Sequence, residues 1–458
     1  MRKPTMSAHF IRTKMVRVTL SRTPVSNFKN RMLPMSRSVP IKGLLRSPSR
    51  ERDKGVTYHR PTGGNAIKAR FSRRVHRDEC PVRTAPGKVR KTGEGDSARL
   101  AARNIILMAA LFLSAVLANS ATFETAQAGY AWRFPRDHGA HPAYKTEWWY
   151  YTANLKDAEG HEYGVQLTFF REALKTAKET ASSFEPVNLY FAHFAVSDNT
   201  GKVFLVEEKA GRPGPGQAGA AEGLLKVWNG GWSATYEPLG HHLRAQGREM
   251  SVDLKVSSAI APVLNGVKGY SDKGDGYASM YYSLPHLWAE GTLTWKGKEL
   301  KVSGPAWMDH EFFTGGLPEG ARGWDWMGLH LSDGSQLMLF RLRGEGPALL
   351  STSGTYALFN GKAQVLSNRD FKMVPEETWK SPRSKAEYPV VWHVTVGSLD
   401  LSFDVQAPFG DHELDTSHST HVTYWDGPVA LRGKNHGRAI TGKGYLEMTG
   451  YDGRFGGF

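Results

Sequence analysis

From residue 129 onward, short runs of apolar residues, several alternating with polar ones, are separated by Gly, Asp and Asn turns. An alternation of period two puts successive side chains on opposite faces of an extended chain, so such runs read as strands with one face toward a core. They occupy residues 147–155, 163–171, 189–197, 202–207, 250–256, 288–295, 335–343, 390–396, 399–405 and 445–449. Aromatic and β-branched side chains dominate them, and these suit a pleated, half-buried surface. Long helical periodicity is nearly absent. Many short strands at even spacing predict an all-β barrel or sandwich.

The pattern repeats. Trp148-Trp149-Tyr150, Leu155 and Gln166-Leu167-Thr168-Phe169-Phe170-Arg171 are echoed by Trp324-Asp325-Trp326, Leu331 and Gln336-Leu337-Met338-Leu339-Phe340-Arg341. A second echo pairs Val302-Ser303-Gly304 and Trp307-Met308-Asp309 with Ile440-Thr441-Gly442 and Tyr445-Leu446-Glu447. Two copies of this size predict two domains of similar fold, 138–316 and 317–455, joined by a Gly/Pro-containing link near 312–320.

The chain has 458 residues and a formal charge of +15, which taken alone suggests a nucleic-acid or anionic-membrane partner. Its distribution argues otherwise. The first 103 residues hold 26 of the 59 Lys/Arg and only 6 of the 44 Asp/Glu, so the remainder is mildly acidic. All 13 tryptophans follow residue 131. Residues 1–98 therefore read as a disordered basic leader, and a nucleic-acid reading of the body loses its electrostatic support. Arg99 and Arg103 precede an apolar run at 105–117, followed by Ala126-Gln127-Ala128, an A-x-A cleavage pattern. That order is a secretory signal peptide, 99–128, and the run is shorter than the roughly 20 residues needed to cross a bilayer. The mature chain is thus expected to start near Gly129, exported to the periplasm or medium, without a stable membrane span. An uncleaved anchor is the alternative. A signal normally opens a protein, so translation is expected to start near residue 99; the alternative is a genuine basic extension. The single cysteine, Cys80, lies in the leader, which leaves the body no disulfide, thiolate metal site or cysteine nucleophile.

Several motifs carry little. Gly214-Pro215-Gly216-Gln217-Ala218-Gly219 spells a dinucleotide fingerprint but lacks a βαβ unit around it. His310-Glu311 opens like a zincin helix, yet Thr314 stands where the second histidine belongs. Residues 411–421, with His412, His418 and His421 among acids, are rich in metal-capable side chains but poor in apolar residues, so they read as a solvated loop. No metal and no cofactor is expected. Two stretches are more informative. Glu147-Trp148-Trp149-Tyr150-Tyr151 sets an acid beside four aromatics, and alternation puts Glu147, Trp149 and Tyr151 on one face. Trp307-Met308-Asp309-His310-Glu311-Phe312-Phe313 embeds three ionisable groups in an apolar frame, with Asp309 and Glu311 on one face and His310 on the other; Trp324-Asp325-Trp326 follows. A carboxyl drawn out of water with such neighbours must be neutral or partnered, and a neutral one donates protons at neutral pH.

These residues carry a resemblance. His141-Pro142 through Tyr144-Lys145-Thr146-Glu147-Trp148-Trp149-Tyr150, Ala192-His193-Phe194, Gly304-Pro305-Ala306-Trp307-Met308-Asp309-His310-Glu311, Gly323-Trp324-Asp325-Trp326-Met327-Gly328, Tyr424-Trp425-Asp426-Gly427 and residues 444–451 resemble the hydroxyneurosporene synthase (CrtC-like, also AttH-like) family over about residues 138–452. Phe312 stands where that family usually has Trp, and Asp426 where it usually has Glu. The resemblance implies two tandem lipocalin-like antiparallel β-barrels. It also implies carotenoid 1,2-hydratase or secreted-hydrolase activity, with Diels–Alderases among related fungal enzymes. The expected function is acid–base chemistry on a hydrophobic terpenoid, carotenoid or lipid-like substrate, the alternative being a non-catalytic carrier of a lipid or pigment. Asp309 is expected as principal proton donor or base, with His310, Glu311, Asp325 and Glu147 assisting. Trp148, Trp149, Tyr151, His193, Trp307, Trp324 and Trp326 are expected to bind substrate, and Glu447, lacking the His-Glu neighbours, to be structural.

Overall fold

The computed structural model describes residues 123–176, 186–214, 216–258 and 260–453. The expected basic leader, 1–98, and the apolar run 105–117 of the expected signal peptide lie outside the described residues. Residues 123–128, which include the expected cleavage site, are coil; Glu124 donates its N–H to the Ala143 carbonyl at 2.8 Å.

The described chain is almost entirely β. The first sheet has thirteen strands: β1 (Thr146–Asp157), β2 (Glu162–Ala173), β3 (Asn188–Asp198), β4 (Val203–Gly211), β5 (Ala218–Ala220), β6 (Lys226–Asn229), β7 (Trp232–Glu237), β8 (Gly240–Gln246), β9 (Met250–Ser258), β10 (Val263–Leu264), β11 (Tyr270–Gly274), β12 (Tyr277–Trp295) and β13 (Lys298–Phe313). The second has ten: β14 (Gly323–Leu331), β15 (Gln336–Arg343), β16 (Leu349–Ala357), β17 (Ala363–Ser367), β18 (Phe371–Lys380), β19 (Glu387–Val396), β20 (Leu401–Gln406), β21 (Glu413–Asp415), β22 (Thr423–Asn435) and β23 (Arg438–Thr449). The first sheet is a nearly closed barrel and the second a half-barrel.

Both sheets follow one plan. A four-strand meander, β1–β4 or β14–β17, is followed by strands that return until the last, β13 or β23, pairs antiparallel with the first. Register makes the internal repeat concrete. Tyr150 lies opposite Asp309, and Trp326 lies opposite Glu447, so Asp309 and Glu447 hold equivalent positions. On the neighbouring strands Ser283 faces Asp309 and Asp426 faces Glu447. The repeat glycines have a shared cause: a Cβ on Gly304 would sit 2.0 Å from the Asn154 carbonyl oxygen, and one on Gly442 2.2 Å from that of His330. Only glycine permits these close strand approaches.

Each sheet has its own core. Trp149, Tyr151, Phe169, Phe194, Trp232, Tyr282 and Met308 fill the first; Met327, Leu339, Trp392, Phe403, Trp425 and Leu446 fill the second. A third cluster, with Tyr150, Tyr281, Trp307, Trp326, Phe340 and Tyr445, lies between the sheets. Strand β13 is consequently buried on both faces from Ala306 to Phe312, with Met308 in the first core and Trp307 against the second sheet.

Candidate active site

A narrow cleft runs between the sheets, with about 840 Å³ of space not filled by atoms, part of it open to solvent. The first sheet contributes Trp148, Tyr150, Lys273, Tyr281, Asp309 and Glu311 to its walls; the second contributes Trp324, Trp326, Phe340, Tyr424 and Glu447. Period-two alternation explains the selection, because these side chains are the ones each strand turns away from its own core.

Asp309 is the most heavily bonded of the acids that line the cleft. Oδ1 accepts from Ser283 Oγ at 2.5 Å and Trp307 Nε1 at 2.7 Å, while Oδ2 accepts from Tyr281 Oη at 2.7 Å. Burial pushes its pKa up to about 7, against these three donors, which favour the charged form. Glu311, two residues on, accepts from Ser279 and is paired with Lys273 Nζ at 3.0 Å. Lys273 also stands 4.4 Å from the centre of the Phe340 ring.

Across the cleft, Glu447 Oε1 accepts from Trp324 Nε1 at 2.6 Å. Burial raises its pKa to about 7, and the nearby charges of Asp309 and Glu311 add to that rise. Its cross-strand neighbour Asp426 is fully buried, with Oδ1 accepting from Tyr150 Oη at 3.0 Å and Oδ2 bonded to no donor among the described residues. Burial first, and then Glu447, push Asp426 well above the usual carboxylate range. Glu447 therefore belongs to the cleft and is not set apart as a structural acid. Asp426, Tyr150, Tyr281 and Ser283 were not among the expected site residues, although the echo of Trp307-x-Asp309 in Tyr445-x-Glu447 pointed to the duplicated acid.

Of the expected site residues, Asp309, Glu311, Trp148, Trp324 and Trp326 line the cleft. Trp307 supports it by holding Asp309, and Trp326 donates Nε1–H to Tyr281 Oη at 3.1 Å. His193 lies behind it, bonded to Tyr424 Oη at 2.7 Å and Ser419 Oγ at 2.9 Å. The others point into the sheets' own interiors. His310 stacks on Trp149 at 4.8 Å and bonds Glu147 at 2.8 Å and Tyr282 at 3.0 Å. Tyr151 bonds His241 at 2.9 Å. Glu147 meets Arg171 at 3.0 Å and His141 at 2.8 Å; burial opposes its charge, but Arg171 and the two histidines hold it well below the usual range. Asp325 is held by Arg341 at 2.6 Å and Arg343 at 3.3 Å and accepts from Tyr451 at 2.9 Å. Each of these acids is a satisfied buried ion pair.

The 411–421 segment is solvated only in part. His412 is fully buried and bonded to Ser197 Oγ at 2.8 Å, and Glu413 accepts from Ser381 at 2.6 Å and Tyr388 at 3.1 Å. Asp415, Ser417, His418 and His421 are exposed, while the buried polar residues find partners in both halves. For a metal, His141, Glu147 and His310 offer ligand atoms within 4.8 Å of one another. The Arg171 guanidinium on Glu147 already supplies the positive charge there.

A family model described as AttH-like matches residues 125–451. Among solved structures, a protein of Nitrosomonas europaea assigned as AttH is 32% identical, with a TM-score of 0.65, covering 72% of this chain and 100% of its own. Kievitone hydratase from Nectria haematococca is 17% identical, with a TM-score of 0.56, covering 72% of this chain and 96% of its own. No curated protein matches the sequence.

Proposed function

The chain belongs to the AttH-like family, and on that premise we propose that it catalyses acid–base addition of water to, or its removal from, a carbon–carbon double bond of a hydrophobic, isoprenoid-like substrate bound between the two sheets. The observation that carries the reading is Asp309, a carboxyl with pKa near 7 in an aromatic cleft. Such a group exchanges protons at neutral pH, and general acid–base catalysis by a positioned side chain contributes about 10²–10⁴-fold. The faces of Trp148, Trp324 and Trp326 suit a carbocation, each desolvated cation–π contact being worth roughly 2 kcal/mol. A hydrolase would need an activated nucleophile or water. His310, the obvious base, is inside the first barrel and bonded to Glu147. That supports hydration over ester cleavage. Kievitone hydratase is an instance of a hydratase on a similar fold.

The test is incubation of the full chain with acyclic isoprenoids (farnesol, geranylgeraniol, squalene) and with fatty-acyl nitrophenyl esters in oxygen-18 water. Labelled tertiary alcohol and no ester cleavage is the expected result. Ester cleavage alone would overturn it, and tight retention of an unchanged isoprenoid would leave a carrier. Export is part of the proposal, supported by the apolar run 105–117 and Ala126-Gln127-Ala128. N-terminal sequencing of secreted material should begin near Gly129; residues before 100 on that material would refute it.

A further inference from the structure

We propose that Glu447, from the second repeat, is the catalytic proton donor of the cleft, and that Asp309, from the first, is the carboxylate that receives the proton of water. The inference rests on the hydratase reading above and divides its labour between the two copies of one ancestral position.

The geometry separates two otherwise matched acids. Both line the cleft and both sit at the same register position of the closing strand in their sheet. Asp309 has both oxygens occupied by donors, three in all. A carboxylate so surrounded is satisfied, and protonating it would turn an acceptor toward three donors. Glu447 receives one hydrogen bond among the described residues, to Oε1. Asp426, beside it across the strands, has a buried oxygen bonded to no donor. Directly opposed residues share one face of a sheet, so the two carboxyls compete for a proton that neither can surrender cheaply. The charges of Asp309 and Glu311 disfavour ionisation of Glu447, Glu447 in turn disfavours that of Asp426, and Lys273 is paired with Glu311. Near neutral pH the three donors on Asp309 favour its ionised form, and the Asp426–Glu447 pair holds a proton that Glu447, the member lining the cleft, is placed to deliver.

The reaction balances. The π pair of the double bond takes the proton of Glu447 to form a C–H bond, leaving a cation on the more substituted carbon and a carboxylate on Glu447. A lone pair of water forms the C–O bond, and the water proton passes to Asp309. The product exceeds the substrate by one water, and solvent entering the cleft returns the proton from Asp309 to Glu447. Dehydration is the reverse.

The experiment combines turnover on the same isoprenoid panel with pH-difference infrared spectroscopy of the full chain, which reads carboxylic-acid bands directly. Glu447→Gln, checked for folding by circular dichroism, should lose about 10²–10⁴-fold in turnover. It should also lose the acid band that titrates near neutrality. Asp309→Asn should lose turnover and keep that band. Full turnover in Glu447→Gln overturns the proposal, as does a band that survives in it and vanishes in Asp309→Asn. Should Glu447→Gln fail to fold, Trp324→Phe removes the donor that favours the Glu447 carboxylate and must move the band's titration to higher pH; an unmoved band overturns the proposal. If the native chain hydrates nothing in the panel, the hydratase reading falls, and the infrared result still decides which acid carries the proton.

Discussion

The Tyr150 hydroxyl, on the first strand of the first sheet, donates a 3.0 Å hydrogen bond to Asp426 on the second sheet. Both residues are buried, and this bond ties the two halves together directly behind the cleft. Asp426 accepts from no other donor among the described residues, so Tyr150 alone satisfies it.

Tyr150→Phe should therefore cost more than a surface hydroxyl would. Leaving a buried polar group without its partner costs about 1–3 kcal/mol. Urea unfolding should show a lower midpoint by that amount, with little change in slope. A midpoint equal to the native one would mean that Asp426 finds another donor.

Asp309→Asn keeps the size of the side chain and removes its ability to exchange a proton. Turnover on the isoprenoid panel should fall about 10²–10⁴-fold, while tryptophan fluorescence still reports ligand binding. Asp325→Asn is the informative companion, because Asp325 is paired with Arg341 and Arg343 away from the cleft. Its effect should fall on stability and not on kcat. Equal losses of kcat in both variants would count against a specific role for Asp309.

Glu147→Gln tests the ion pair inside the first barrel. Glu147 and Arg171 are 0% and 1% exposed, so the guanidinium would be left without its counter-charge. Breaking one partner of a buried pair costs about 3–5 kcal/mol. Thermal unfolding should show a large drop, and a change of less than about 1 kcal/mol would show that His141 and His310 bear the load.

The period-two runs foretold an all-β chain because alternation is a local signal, and the echo of Trp307-Met308-Asp309 foretold the duplicated sheet. The assignment of faces along β13 was also legible: Asp309 and Glu311 share the cleft, and His310 points away. What the sequence could not reveal is which face of β1 meets the other sheet. Trp148, Trp149, Tyr150 and Tyr151 are all aromatic, so no polar residue marks the cleft side. Trp149 and Tyr151 went to the barrel interior, while Trp148 and Tyr150 went to the cleft. Asp426 and Ser283 were not assigned to the site for a related reason: their importance comes from cross-strand register, which links residues 21 and 26 positions from Glu447 and Asp309 respectively. Strand β13 reads poorly as a strand because burial on both faces erases its alternation.

Stability should fall on acidification well above the usual carboxylate range, and the sign follows from the buried histidines. Burial lowers His193, His241 and His412 to about 3, and His138 and His330 to about 4, from 6.5. Below pH 6.5 the unfolded chain takes up protons on these five groups and the folded chain does not, so acid favours unfolding. Asp309, Glu447 and Asp426 act in the opposite sense, since their raised values mean that the folded state keeps protons the unfolded state releases above about pH 4. His286 and His310 are lowered in the same way, while His141 is raised and joins the acids, so the lowered histidines outnumber the groups that oppose them and the unfolded chain carries the excess of protons between about pH 4.5 and 6.5. Each net proton of that excess is worth about 1.4 kcal/mol per pH unit, so stability should drop on acidification there. As the unfolded histidines lose their protons through neutral pH, the raised acids and His141 take over, so stability should level off near neutrality and then decline gently. Urea midpoints measured from pH 4.5 to 8 test this, and His193→Gln should reduce the acid-side slope by the contribution of one proton. A stability that rises as the pH is lowered from 6.5 would mean that the carboxyls outweigh the histidines.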